Sequence, residues 1–396
     1  MRVCVNGKGQ RLSGTGELRS SAVRLRFGWS WTVHILVVLP RRSPTDRDIP
    51  NSVDLCVHDL VSASRHRSAT CIVAERVHKI FDAFETADIP SFAAAHSRLI
   101  ARHVAHLAQA RKPDLVVVHQ HFQIAARLAP MLPGRVVFHA HGFYKSYPKG
   151  LIAAVRRGMR LREIRRLAGL VHVSEACRAH FDSSWPEVRL PQAVVHNGLD
   201  FRAWHPEALK RNEILCVGRC VPEKGILEAA QAVARVLPER PGWSARFVLS
   251  ELDRNSGYSK RVEEVLSQEP LRDRIETERN VSWLGVKERY ERAAIALVPS
   301  RWREPFGRTA LEAHAGGAAL VSSGSGGLSE VSGPFALFAD PADVDGFAEA
   351  IRRLIDNEPL RRELSQGGAQ YVRRRFSIES VAAVNDAFLE RIRASC

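Results

Sequence analysis

The sequence predicts an α/β protein built of two doubly wound, Rossmann-like domains. Three observations carry this. At 396 residues the chain exceeds the roughly 250–300 residues at which a single core stops growing. From residue 32 onward, short apolar, β-branched runs alternate with longer segments of helical period, the pattern of βα units around a parallel sheet. A polar stretch at residues 202–212 interrupts the alternation near the middle, where a linker is expected.

Composition narrows the function classes. With 45% hydrophobic and 26% charged residues the chain has an ordinary globular composition, and no run of eighteen apolar residues predicts a membrane span. The net charge of +15 suits a phosphorylated ligand, an anionic lipid surface or nucleic acid. No zinc finger, RNP-like strand or basic region with heptads is present, so nucleic acid is not an expected partner. The seven cysteines are scattered, odd in number and without a CxxC pair, which fits buried thiols in a reducing, cytoplasmic setting. Residues 1–32 carry six basic residues against one acidic and no apolar period; they read as a disordered extension, or as residues upstream of the true start. Phe27 to Trp31 is too short for the h-region of a secretory signal.

The first domain is expected over residues 33–200. Thr32–Leu39 (TVHILVVL) is its first strand, and Ser52–Ser64 has helical spacing. Ala69–Ala74 is a second strand, Phe92–Arg111 a long helix stopped by Lys112 and Pro113, and Asp114–His119 (DLVVVH) a buried strand. A helix over about 122–131 and the strand Arg135–His139 follow. His119, His121, His139 and His141 gather at two strand ends, but no carboxylate accompanies them, so no metal is expected. From Lys149 to Leu170, apolar residues at 151, 152, 155, 159, 164 and 167 mark the face expected to be buried; Arg156, Arg157, Arg160, Arg162, Arg165 and Arg166 mark a solvated face that also suits anionic lipid. In Leu170–Glu175 (LVHVSE), Ser174 is placed to cap a helix, and the absence of GxSxG removes a serine hydrolase reading. Ala193–Asp200 (AVVHNGLD) ends in a turn-prone Asn197–Gly198.

After the linker at 201–212, the second domain is expected over 213–376. Glu213–Gly218 (EILCVG) opens its sheet and hands over to RCVPEKGI, where Arg219 and Lys224 bracket a turn that starts a helix; two cations and free amides converge there on a spot that fits a diphosphate. Helix 225–236, strand 245–250, helix 260–268, strand Val281–Leu284 and helix 288–294 continue the alternation. Helices are expected at 343–356, 360–375 and 377–393.

The stretch Ser300 to Glu330, SRWREPFGRTALEAHAGGAALVSSGSGGLSE, organises the reading. Apolar runs at 294–299 and 318–321 enclose a loop and a helix. Pro305 keeps Glu304 out of helix, and Gly307 turns the chain into the helix from Arg308 to Ala315. Glu304 then lies at a strand's carboxyl end and Glu312 just over one turn into the helix, both overlooking a crevice beside a helix N-terminus that attracts anions. Gly326 and Gly327 are free to bring backbone amides to a nucleotide. Gly324 and Gly326 do not amount to GxGxxG, which removes a dehydrogenase reading.

In wording, EPFG, TALEA, GG and GSGGLSE resemble the donor-sugar site of the family 4 glycosyltransferases, enzymes of the GT-B fold. VGRCVPEKG is similar to their VGRLxPEKG motif, HAHG before an aromatic to their sugar-facing histidine segment, VSE to the step before their domain crossover, and HNGLD to their VIPNGVD. The resemblance covers roughly 33–396 and is strongest over 213–330. It implies a metal-independent, retaining glycosyltransferase without a cofactor, taking a UDP- or GDP-sugar as donor and a saccharide or lipid-linked acceptor, in cell-surface polysaccharide or lipopolysaccharide synthesis. From the residues themselves, the cysteine usage fits a cytoplasmic protein, and the arginine face of 149–170, read first as solvated, also suits peripheral contact with anionic membrane. By the same resemblance Arg219 and Lys224 grip the donor phosphates, Phe306, Gly307 and Arg308 bring the loop and helix N-terminus to the nucleotide, Glu312 holds the ribose, and Glu304 faces the sugar. His141 contacts the sugar from the first domain, Asn197 lines the cleft, and the helix within 377–396 returns to the first domain. RRSPTDRDIPNS stands where family members carry a glycine-rich loop, and LSELDRNS departs from the expected glycine-rich turn. A nucleotide-sugar epimerase and a non-catalytic nucleotide-sugar-binding component are the alternatives.

Overall fold

The computed structural model describes residues 32–39, 51–75, 79–94, 96–145, 150–250, 256–269 and 271–395. The expectations for the basic N-terminal stretch, for most of the RRSPTDRDIPNS loop and for residues 251–255 lie outside these.

Two all-parallel sheets form two lobes. The first holds β1 (Ile35–Val38), β2 (Thr70–Ala74), β3 (Glu85–Asp88), β4 (Leu115–His119), β5 (Val136–Ala140), β6 (Gly169–His172) and β7 (Gln192–Val194), in the order β3-β2-β1-β4-β5-β6-β7. The second holds β8 (Arg211–Arg219), β9 (Ser244–Ser250), β10 (Ile275–Arg279), β11 (Ala293–Val298), β12 (Ala319–Ser322) and β13 (Ala336–Phe338), in the order β10-β9-β8-β11-β12-β13. Runs such as LVVVH and AAIALV are buried along their whole length, because helices cover both faces of a parallel sheet. Strand order reverses between β1 and β4 and between β8 and β11, and such switch points open crevices at strand carboxyl ends.

The final helix, Ile378–Ala394, joins the core of the first lobe through Val381, Phe388, Leu389 and Ile392. A Cβ on Gly169 would lie 2.9 Å from the Phe388 ring, so glycine in β6 permits the close approach. Asp386 fixes the register by accepting from Ser64 Oγ at 2.7 Å and the Arg65 amide at 2.9 Å.

Three expectations fail. Val281–Leu284 is not a strand: Ser282 Oγ accepts from the Gly285 amide at 3.2 Å and caps a helix over Trp283–Arg292, while the strand is the preceding IETER of β10. The long 92–111 helix is two pieces, Ser91–Ala94 and Ser97–Arg111. The helix Leu151–Ile164 buries only part of the expected face: Ile164 lies in the core and Arg156 and Arg162 are exposed as expected, but Ile152, Val155 and Met159 face solvent and Arg157 and Arg160 are half-buried. Aromatic rings supply the reason, with the Arg157 guanidinium 4.9 Å from the Trp185 ring and that of Arg160 4.4 Å from Phe122.

Candidate functional site

In the second lobe, Arg219 ends β8 with an exposed side chain, and the chain turns through Pro222–Lys224. Gly225 has φ +67°, and a Cβ there would run into the Pro299 carbonyl at the end of β11. This approach carries Lys224 onto the loop after β11, where its Nζ donates to Glu304 Oε1 at 2.6 Å. Ser300 Oγ donates to the same oxygen at 2.6 Å. Glu304 is 5% exposed, and a buried carboxylate persists when paired and hydrogen-bonded in this way. The ring of Trp302 lies 5.7 Å from Lys224 Nζ. Ser300 and Trp302 carry no motif signal beyond their nearness to EPFG.

The glycine loop after β12 sits directly on this segment. Gly326 (φ +67°) would set a Cβ against the Glu304 carbonyl, and a Cβ on Gly327 would lie 2.6 Å from the Pro305 carbonyl. The Gly327 amide donates to the Glu304 carbonyl at 2.8 Å. Gly307 (φ +109°) starts the helix Arg308–Ala315. Within that helix Arg308 Nε donates to Glu312 Oε1 at 2.7 Å, and Glu312 is buried. Phe306 is a core residue, its ring 5.8 Å from His196 and 5.5 Å from Phe376. Asn197 is half-buried beside Gly198, where a Cβ would lie 2.9 Å from the Ile378 backbone; this places it at the crossing of the last helix.

In the first lobe His119 Nδ1 and His141 Nε2 are 2.9 Å apart, and the His139 ring stacks on both, 4.6 Å from His119 and 4.7 Å from His141. His139 and His141 share one side because residues two apart on an extended backbone do so, and β5 runs to Ala140 between them. Each of the three offers a nitrogen within 4.8 Å of the others, yet the His139 and His141 planes are parallel to within 6°, and in-plane lone pairs of stacked rings do not meet at one point as metal ligands do. Burial pushes the His141 ring down to about 4 and lowers His119 and His139 well below the usual range, so all three are neutral at neutral pH. Beside them opens a cavity of about 360 Å³ lined by His141, Gly142, Phe122, Tyr144, Trp185 and Arg160, among others.

Contacts distant in sequence join the lobes. Arg308 reaches Cys56 Sγ at 3.3 Å and Asp59 Oδ2 at 3.6 Å on the helix Ser52–Ala63. Glu330 accepts from the amides of Glu175 at 2.9 Å and Ala176 at 2.6 Å, the N-terminus of the helix Glu175–Ser184, with His196 Nε2 3.5 Å away. Burial alone would raise the Glu330 carboxyl, but His196 and the two amides hold it below the usual carboxylate range. Asp59 does not stand out in the sequence, and Glu330 closes the GSGGLSE motif without showing its partner there, since each acts on a residue far along the chain.

Two parallel-sheet lobes facing across a cleft, with the acidic and basic groups gathered at the strand ends of the second, make this a GT-B protein. Residues 200–371 match the family model of the glycosyl transferases group 1. Among curated proteins the chain is 30% identical over 238 residues to the MMP alpha-(1->4)-mannosyltransferase of Mycolicibacterium hassiacum, covering 59% of this chain and 56% of that protein. It is 26% identical over 231 residues to the lipopolysaccharide core biosynthesis mannosyltransferase LpcC of Rhizobium leguminosarum, covering 54% and 64%. The chain thus spans about half to two thirds of the length of these relatives. Among solved structures, sucrose-phosphate synthase of Thermosynechococcus elongatus superposes with a TM-score of 0.74 at 18% identity, covering 92% of this chain and all of that one. HepE of Anabaena in complex with UDP and glucose superposes with a TM-score of 0.71 at 17% identity, covering 89% and 97%. At these identities the superpositions speak for the fold.

Proposed function

We propose that the protein is a metal-independent, retaining glycosyltransferase that moves a sugar from a UDP- or GDP-sugar to a saccharide or lipid-linked acceptor in cell-surface polysaccharide or lipopolysaccharide synthesis, working at the cytoplasmic face of a membrane. The observation that carries this reading is the meeting of Lys224 with buried Glu304 at 2.6 Å, at the switch-point end of the second sheet and on the turn that Arg219 opens. Leaving of a nucleoside diphosphate develops negative charge, and cations with a helix N-terminus stabilise it without a metal. Arg219, Lys224 and the helix starting at Arg308 have this role. Glu304 orients the sugar hydroxyls, Glu312 the ribose, and neutral His141 faces the sugar from the first lobe. The acceptor enters through the aromatic cavity beside His141, and the departing diphosphate takes its proton on the same face of the sugar. The names of the mannosyltransferase relatives and the UDP and glucose held by HepE support the donor class.

Thermal-shift measurement with UDP- and GDP-sugars, followed by nucleoside diphosphate release with saccharide acceptors, tests the reading. Lys224→Ala is expected to lower kcat/KM by about 10²–10³, close to 3 kcal/mol in the barrier, and product anomeric couplings to match those of the donor. A protein that no nucleotide sugar stabilises, or whose Lys224→Ala variant turns over like the wild type, is not this enzyme. Donor consumed without acceptor marks an epimerase or hydrolase, and binding without turnover a non-catalytic component.

A further inference from the structure

The helix Leu151–Ile164 buries Ile164 yet turns a second apolar stripe to solvent, which a helix on a water-facing lobe should not show. Ile152 is 70% exposed, Val155 59% and Met159 60%. They sit at i, i+3 and i+7, so a 3.6-residue period lines them up in one stripe. The same period places Arg156 along one flank and Arg162 along the other, both exposed. The arginines nearer the core are held inward: Arg157 makes two 2.8 Å bonds to Glu187 beneath the Trp185 ring, and Arg160 lies over Phe122 with Glu163 at 3.0 Å. Glu163 is the acidic residue of the helix, and this pairing offsets its charge next to the stripe. The outward surface is therefore an apolar band with positive edges, while the inner face of the same helix supplies Arg160 to the cavity beside His141.

We infer that this helix seats the first lobe on an anionic phospholipid bilayer, with Ile152, Val155 and Met159 in the boundary between headgroups and acyl chains and Arg156 and Arg162 on the phosphates. An apolar stripe edged by arginine is the pattern of an in-plane interfacial helix, and the chain's net charge of +15 adds long-range attraction to an anionic leaflet. A second copy of the chain fits this surface poorly, because a two-fold contact would set the same arginine edges against each other. Docking here deepens the proposed transfer to a lipid-linked acceptor and rests on that reading for its purpose. The cavity then opens beside the plane from which such an acceptor rises.

The surface is tested without catalysis. Full-length protein is sedimented with vesicles of phosphatidylglycerol and phosphatidylcholine in equal parts, and with phosphatidylcholine alone. The wild type is expected to pellet with the first and to remain largely soluble with the second. Arg156→Glu/Arg162→Glu is expected to weaken partitioning by about twenty-fold or more, from roughly 1 kcal/mol per basic residue at the surface. Ile152→Asn/Val155→Asn/Met159→Asn is expected to weaken it by about a hundredfold, with an unchanged thermal midpoint showing that the fold is intact. Failure of the wild type to pellet, equal pelleting by the Asn variant, or a dimer in solution that the Asn variant dissociates would overturn the inference. Nucleotide-sugar stabilisation, read on the same samples, reports separately on the proposed enzyme.

Discussion

Lys224 Nζ, 2.6 Å from a buried carboxylate, has three N–H donors, so a diphosphate either shares the ammonium with Glu304 or exchanges for it. Ser300 makes the exchange affordable: its hydroxyl stays on Glu304 Oε1, so the carboxylate keeps a hydrogen bond when the ammonium turns away. A second residue gives a sharper test. His314 is fully buried, no hydrogen-bond partner for either ring nitrogen is found among the described residues, and Gly368 packs against the ring. Burial pushes its pKa down to about 4, below the roughly 6.5 of an unfolded histidine. Above that pH both states are neutral and the group adds no pH dependence. Below it the unfolded chain takes up a proton that the folded one refuses, so stability falls as pH drops toward 4, by up to about 3 kcal/mol. His314→Leu should therefore lose less stability between pH 7 and 4.5, measured by denaturant unfolding, than the wild type. Parallel losses in the two proteins would show that His314 is not the group responsible.

Loops and strands differ in what they reveal. Gly326 combines φ +67° with a Cβ position blocked by the Glu304 carbonyl, so Gly326→Ala is expected to cost about 2 kcal/mol or more. Gly242, which has open space for a Cβ, should change by less than about 0.5 kcal/mol as alanine. Chemical denaturation of both variants checks the contrast, and equal effects would sink the packing account of the loop. The glycines were legible as a motif, but their first duty, close stacking on EPF, needs a partner segment that sequence does not display. Buried strands such as AAIALV declared themselves because both faces are apolar. The edge strands ETAD and IETER did not, since only Ile275 among their residues is buried. In the helix Leu151–Ile164 the apolar stripe was legible and its direction was not, because the cavity's aromatic rings, not water, receive Arg157 and Arg160.

At the scale of the molecule, pairing across the cleft decides how the lobes stand. The alternation of strands and helices announced two lobes, but the clamps between them join residues such as Arg308 and Cys56, 252 positions apart, for which no local pattern exists. Arg308 is the most informative clamp because it holds Glu312 on its own helix while reaching Asp59 on the other lobe. Losing it should both loosen the lobes and disturb the carboxylate assigned to the ribose. Asp59→Asn removes only the contact between lobes, so comparing the two separates these effects. Both variants are expected to show a larger radius of gyration by small-angle X-ray scattering, with donor KM raised more by Arg308→Leu than by Asp59→Asn. If closure acts through this one pair, the double variant should open no further than Arg308→Leu, the non-additivity expected of partners in contact. Additive expansion, or wild-type scattering from either single variant, would place the control of closure elsewhere, with the Glu330 cap on the helix Glu175–Ser184 the next contact to remove.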